Sequence, residues 1–243
     1  MKVYGLIGYP LTHSFSKKYF TEKFERLGLH DCRYENFSIA SVDELMPIVE
    51  SNLSILGINV TIPYKEAVIP LLHEQSTTVK AIGACNCIRI ENKKLRGFNT
   101  DTTGFEQTLL TKLKSHHKKA LLLGTGGAAK AVEYVLEKLG IDVKYVSRKP
   151  MAGQFSYEQL TPEIIGERTL IVNSTPLGMY PKIEKAPSIP YNTISKQHLL
   201  YDLIYNPAKT LFLQKGEERG ATIMNGEEML VIQAEESWRI WNS

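Results

Sequence analysis

The chain has 243 residues, of which 43% are apolar, enough for one large or two small domains with cores of their own. A formal net charge of +3, dispersed along the sequence, argues against a nucleic-acid partner. No apolar run approaches the ~18 residues of a membrane helix, and the odd total of three cysteines suggests a reducing compartment, hence the cytoplasm.

Met1 to Gly8 is apolar, but Pro10 and polar residues follow, so it reads as a first strand and not as a signal peptide. Pro10 to Ser16 reads as a loop and Lys17 to Leu27 as a helix closed by Gly28. Arg33 to Phe37 is a second strand. Ser41-Val42-Asp43-Glu44 is a capping box opening a helix through Glu50. Leu56 to Thr61 is a third strand, Pro63 opens a helix to about His73, and a short helix covers Thr77 to Ile82. Asn86–Ile90 and Leu95–Phe98 read as a hairpin turned at Asn92-Lys93. Cys85 and Cys87 would point the same way on that strand. Two thiols without two further ligands make no zinc site, so no metal is expected and both read as small buried side chains.

Thr100-Asp101 begins a helix to about Lys114, a natural boundary, and His116-His117 reads as an exposed loop. Strands then alternate with helices: strand 119–123, helix 127–139, strand 142–146, a helix near 157–165, strands 169–173 and 199–203, helix 208–219 and strand 221–224. Alternation of this kind argues for a parallel, doubly wound sheet. Ser174 to Asn192, rich in Pro and Gly, is a loop. Glu227 to about Trp241 is a last helix, expected to pack back on the first domain with a cleft behind it. The expected fold is therefore two α/β domains: one of residues 1–99 plus 226–243, and a doubly wound, Rossmann-like one of residues 100–225.

The apolar run Leu121-Leu122-Leu123 stops at Gly124-Thr125-Gly126-Gly127-Ala128-Ala129, where a helix begins. Gly124, Gly126 and Ala129 fit the G-x-G-x-x-G/A spacing: a tight turn, a backbone open to a pyrophosphate, and a helix close on its strand. The free N–H groups of the helix start favour phosphate. An NAD site carries Asp or Glu about 20 residues further on. Here the next strand ends in Ser147-Arg148-Lys149 without an acid. An acid would repel a 2′-phosphate and an arginine fork would pair with it, so the cofactor is read as NADP(H).

Ligands of open α/β sheets bind at strand ends. Polar residues cluster at such ends in the first domain: His13-Ser14-Phe15-Ser16, Asn59-Val60-Thr61, Asn86, and Asn99-Thr100-Asp101. Lys65 opens a helix after the third strand. A lysine serves as acid/base near neutral pH where desolvation or a positive dipole disfavours its charge, and a helix start in a closed cleft supplies both. Asp101 then reads as the group that orients the lysine and a substrate hydroxyl.

Taken together these motifs closely resemble the shikimate dehydrogenase family. Gly8 to Ser16 is similar to its substrate loop and Asn59-Val60-Thr61-Ile62-Pro63-Tyr64-Lys65 to its catalytic segment. Gly83 to Asn86, Gly97 to Gly104, Gly124 to Ala128, Asn173 to Met179, Asp202 to Pro207 and Gly226 to Ala234 follow in the family order, across nearly the whole chain. The resemblance implies reversible NADPH-dependent reduction of 3-dehydroshikimate to shikimate, in aromatic amino-acid synthesis. It implies Lys65 and Asp101 as catalytic residues. Ser14 and Ser16 would hold the ring carboxylate by charge-assisted hydrogen bonds. Thr61, Asn86, Asp101 and Gln233 would read ring hydroxyls, with Asn59 and Tyr205 close by. The cofactor contacts it implies are Gly124, Thr125, Gly126, Gly127, Ala128, Ser147, Arg148, Lys149, Ser174, Thr175, Met179, Leu203, Gly226 and Met229. A monomer or homodimer is expected, without nucleic-acid or membrane partners.

The sequence departs from the family pattern in places. Lys17 stands where proline is usual, Cys87 where threonine is usual, and Ser147-Arg148-Lys149 for Asn-Arg-Thr; the chain is also shorter after Arg148. Two rivals resemble it: an NAD-linked quinate/shikimate dehydrogenase, disfavoured by the missing acid near Ser147, and a ligand-sensing relative without catalysis, disfavoured by intact Lys65 and Asp101.

Overall fold

The structure is a computed structural model that describes residues 1–11 and 15–243. It divides into two compact units, Met1–Thr100 with Gln233–Ser243, and Asp101–Ile232. The sequence expectation put the return at 226; the chain passes back into the first unit at Gln233, inside its last helix.

In the first unit the elements run β1 (Lys2–Gly8), α1 (Phe15–Arg26), β2 (Cys32–Ser38), α2 (Leu45–Ser51), β3 (Ile55–Val60), α3 (Tyr64–Ala67), β4 (Glu74–Gln75), α4 (Thr77–Ile82), β5 (Cys87–Glu91) and β6 (Lys94–Phe98). They form a six-stranded mixed sheet in the order β2-β1-β3-β5-β6-β4. β1 lies between two parallel neighbours, which is why Val3 to Gly8 are buried without alternation. The β5–β6 hairpin turns at Asn92 and Lys93, both at positive φ.

One face of the sheet carries a core of Ile7, Leu45, Val49, Ile58, Val68, Val79 and Ile88. A second, aromatic cluster joins Tyr4, Phe20, Phe24 and Tyr34 to Trp241 from the last helix. Trp241 stacks on Tyr4 with centroids 5.0 Å apart, and its Nε1 donates to the Ile88 carbonyl at 3.0 Å.

The second unit runs α5 (Asp101–Leu110), β7 (Lys119–Leu123), α6 (Gly127–Lys138), β8 (Asp142–Val146), α7 (Pro162–Glu167), β9 (Leu170–Asn173), β10 (Leu199–Asp202), α8 (Leu211–Glu217) and β11 (Thr222–Met224). α9 (Glu227–Trp241) begins in this unit and ends in the first. Its five strands are all parallel, in the order β11-β10-β9-β7-β8. The strand order reverses between β7 and β9, and the carboxyl end of a sheet at such a reversal is where open α/β folds bind ligands.

Some local expectations fail for identifiable reasons. The helix expected from Pro63 to His73 is only α3 and a 3-10 turn, Ile69–Leu71, because Pro70 cannot donate an i→i−4 bond. β4 was not foreseen; two residues carry no periodicity. The helix expected near 157–165 is a 3-10 turn, Tyr157–Gln159, and then α7, restarted by the Thr161 cap and Pro162. His117 is not exposed: it is 3% exposed, and its Nδ1 accepts from the Lys114 N–H at 2.9 Å. Burial holds its imidazole below the usual value.

Candidate functional site

In the first unit the register fixes which residues share an edge. Ile7 pairs with Val60 in parallel, Asn59 faces Cys87 across an antiparallel pair, and Cys87 faces Phe98. The residues just past these pairs, Gly8, Thr61, Asn86 and Asn99, therefore lie along one end of the sheet. Lys65 sits there too, half-buried on α3, and its carbonyl accepts from the Cys85 N–H at 2.7 Å. The Thr61 N–H donates to Ile7 and its carbonyl accepts from Tyr64, which closes the turn from β3 into α3. Tyr64 is anchored below by its hydroxyl, which donates to the Ile39 carbonyl at 2.6 Å.

The polar side chains behind this edge are strung together. The Tyr34 hydroxyl donates to Asn59 Oδ1 at 2.9 Å. Burial pushes the Tyr34 phenol well up, so it remains a donor. Asn59 Nδ2 donates to Ser237 Oγ at 2.9 Å and to the Asn86 carbonyl at 3.3 Å. Asn86 Oδ1 accepts from the Thr100 N–H at 2.6 Å, and Asn86 Nδ2 donates to Thr100 Oγ1 at 3.0 Å. Thr100 Oγ1 also reaches Gln233 Oε1 at 3.4 Å. Asn59, Asn86, Thr100, Gln233 and Ser237 are all buried. This is a neutral, hydrogen-bonding lining, suited to a polyhydroxylated ligand.

Ser16 lies in the first turn of α1, not in a loop as expected; Ser14 and His13, also expected at the substrate end, lie outside the described residues.

In the second unit the glycine turn lies at the strand-order reversal. Gly124 has φ +98, and a Cβ there would come within 2.9 Å of Ser174 Oγ and Thr175 Cγ2. Ser174 closes this seam, its hydroxyl donating to the Leu123 carbonyl at 2.7 Å. Gly126 caps α6 at φ −77, and a Cβ there would meet nothing within 4 Å. Neither backbone conformation nor packing within the chain requires glycine at 126, and the bare backbone leaves room for a ligand to approach. Thr125 is exposed and Gly127 and Ala128 half-exposed beside it. These residues fit a dinucleotide's pyrophosphate.

Ser147 ends up half-buried after β8, with Arg148 and Lys149 exposed. The Lys149 N–H donates to Ser147 Oγ at 3.2 Å. Two cations and a hydroxyl at this strand end suit a 2′-phosphate.

The loop after β9 rests on a buried carboxylate. Asp202 Oδ1 accepts from Asn173 Nδ2 at 3.0 Å and from the Ile204 N–H at 3.1 Å, and Asp202 Oδ2 accepts from Thr210 Oγ1 at 2.6 Å. Asn173 Oδ1 in turn accepts from the Thr175 N–H at 3.0 Å and from Thr175 Oγ1 at 2.6 Å. Burial raises the Asp202 carboxyl to about 6, against the opposing pull of its hydrogen bonds to Thr210, Ile204 and Asn173.

Met179 and Tyr205 are exposed, at 46% and 39%. Gly226 permits a close approach: a Cβ there would lie 2.1 Å from the Leu203 carbonyl oxygen. Met229 packs into the core of the second unit, with Leu203 against the same cluster. Asp101 is buried at the start of α5. Tyr34, Ser237 and Thr210 were not singled out in the sequence, because only tertiary pairing links them to the candidates; Thr100 and Asp202 stood there within motifs but without a role of their own. Among the described residues, no group of three or more His, Cys, Asp or Glu is placed to hold a metal ion.

A family model described as the shikimate dehydrogenase substrate binding domain matches residues 6–88. The shikimate dehydrogenase (NADP(+)) of Desulforamulus reducens is 35% identical over 265 aligned positions, which cover 99% of this chain and 89% of that protein. The chain belongs to the shikimate dehydrogenase family. Solved structures of the family agree in fold. A crystal structure of shikimate dehydrogenase from Aquifex aeolicus superposes with TM-score 0.88 at 35% identity, covering 100% of this chain and 92% of that one. The shikimate 5-dehydrogenase of Thermus thermophilus, crystallised with NADP(H) and shikimate, gives TM-score 0.86 at 29% identity over 99% of this chain and 93% of that one.

Proposed function

We propose that the chain is a shikimate dehydrogenase, catalysing the reversible NADPH-dependent reduction of 3-dehydroshikimate to shikimate. The observation that carries this is family similarity over 99% of the chain to enzymes of that name. It agrees with a first-unit edge that presents Thr61, Lys65 and Asn86 together and with a glycine turn that fits a dinucleotide.

The bound nicotinamide supplies or accepts the hydride at the ring carbon. Everything else falls to side chains. Lys65 gives its proton to the oxygen of that carbon during reduction and takes it back during oxidation. Asp101 orients the same hydroxyl. Ser14 and Ser16 hold the carboxylate, while Thr61, Asn86 and Gln233 read the other ring hydroxyls, with Tyr205 near them. A lining of amides and hydroxyls rejects an analogue lacking a hydroxyl, because its own groups would be left unpaired. Arg148, with Ser147 and Lys149, holds the 2′-phosphate; Gly124 to Ala128, Ser174, Thr175 and Met179 line the cofactor path, with Leu203, Gly226 and Met229 at its nicotinamide end. A cytoplasmic monomer or homodimer belongs to the same proposal, the latter resolved by sedimentation of the purified protein.

The test is oxidation of shikimate by purified protein with NADP⁺, followed by the absorbance of the reduced nicotinamide. Turnover is expected. Protein that binds shikimate but produces no reduced cofactor would overturn the reading in favour of a ligand-binding relative.

A further inference from the structure

Ser237 lies one helical turn after Gln233 on α9 and is wholly buried. Its hydroxyl donates to the Gln233 carbonyl at 2.9 Å, accepts from Asn59 Nδ2 at 2.9 Å and lies 3.3 Å from Thr100 Oγ1. A buried hydroxyl has one proton and two lone pairs, so this one is committed in all directions.

The Asn59 amide is committed as well. Its oxygen takes the Tyr34 proton, and its two N–H groups go to Ser237 and to the Asn86 carbonyl. Asn59 is 4% exposed, and these partners give it a supporting place. What it and Thr100 support are Asn86 and Gln233, the side chains assigned above to the ring hydroxyls.

We propose that Ser237 is a positioning residue for substrate recognition: from α9 it fixes Asn59 and Thr100, and through them the angles at which Asn86 and Gln233 meet the ring hydroxyls. The sheet edge and the helix are distant in sequence, Asn59 and Ser237 being 178 positions apart, so this hydroxyl is the clamp between them. Removing it leaves a buried Asn59 N–H short of a partner and returns the Thr100 hydroxyl to Asn86 and Gln233 alone, at the expense of their reading of the ring hydroxyls. The inference rests on the shikimate reading.

The experiment is steady-state kinetics of wild type, Ser237→Ala and Ser237→Cys on shikimate and on an analogue lacking one non-reacting ring hydroxyl, with the melting temperature of each. Ser237→Ala is expected to raise the KM for shikimate roughly tenfold, leave the KM for NADP⁺ within about twofold, and lose much of the discrimination against the analogue. Ser237→Cys, with a weaker acceptor of similar shape, falls between. A lowered melting temperature with an unchanged shikimate KM and unchanged discrimination would make the role merely structural and overturn the proposal.

If Ser237→Ala does not fold, Tyr34→Phe removes the hydroxyl at the other end of the same amide and must show the same split in KM; its absence overturns the proposal too. Where both fold, the double variant is expected to be less than multiplicative, since both act through Asn59. Wild type that neither binds nor oxidises shikimate would overturn the functional reading and this inference with it. An active wild type with unchanged variants would overturn this inference alone.

Discussion

Lys65 is half-buried, at the end of the first-unit sheet where Thr61 and Asn86 also lie. If its ammonium moves the proton, Lys65→Ala lowers kcat by about 10²-fold or more with little change in KM; near-wild-type kcat would remove it from the mechanism. Arg148 is exposed, with its fork available to a phosphate. Arg148→Ala is expected to raise the KM for NADPH at least about tenfold while barely affecting NADH. Equal effects on both would exclude a 2′-phosphate contact.

Asp202 makes a prediction about pH. Its carboxyl, ordinarily near 3.8, is raised by burial to about 6, with the Tyr191 phenol the neighbouring titratable group that feels its charge. The folded state then binds this proton more tightly than the unfolded state does. The stability it contributes is full below the unfolded value and is lost as pH rises through about 6, on the order of 3 kcal/mol. Asp202→Asn keeps an acceptor for Asn173 and Ile204 and cannot ionise. Thermal melts of both proteins between about pH 4 and pH 7 should show the variant gaining on wild type as pH rises. A constant difference would contradict the buried-carboxyl account.

Among the elements, α9 carries the most for the first unit. Its end seats Trp241 among Tyr4, Phe20 and Tyr34 and against Gly57, where a Cβ would lie 2.4 Å from the indole. Lys23 of α1, itself buried, donates to both oxygens of Glu235 at 2.6 Å, and Tyr19 bonds the same carboxylate. Trp241→Ala should cost about 3–5 kcal/mol in denaturant unfolding, and Gly57→Ala about 1–3 kcal/mol because β3 cannot retreat from the ring. A cost below about 1 kcal/mol for Trp241→Ala would mean that the helix end is not seated as described.

The extent of α9 was legible in the sequence, Glu227 to Trp241, because its apolar positions repeat with helical spacing and Gly226 precedes it. So was the strand–turn–helix of Leu121 to Ala131, where an apolar run, a glycine cluster and a helix former stand side by side. Elements carried by a few residues were not legible. β4 exists because β6 offers it a parallel partner, and α3 stops where Pro70 intervenes. The clamp on Asn59 was invisible for the same reason: Tyr34, Asn86 and Ser237 meet there only after the sheet and α9 have formed.

Across the whole chain, two separate cores serve two separate kinds of recognition. The mixed sheet of the first unit ends in neutral amides and hydroxyls beside one lysine, which suits a hydroxylated ring. The parallel sheet of the second ends in bare backbone and an arginine, which suits phosphate. Among the described residues, no helix is long and apolar enough to cross a membrane. The family position and the chemistry of these two strand ends lead to one substrate and one cofactor.

The most direct test is kcat/KM of the unaltered protein on shikimate and quinate, each with NADP⁺ and with NAD⁺. Shikimate with NADP⁺ is expected to exceed each of the other three combinations by at least about tenfold, as lost charge-assisted contacts to a 2′-phosphate or a changed hydroxyl pattern would give. Equal or greater efficiency with NAD⁺ or with quinate would contradict the account, and no turnover of shikimate would end it.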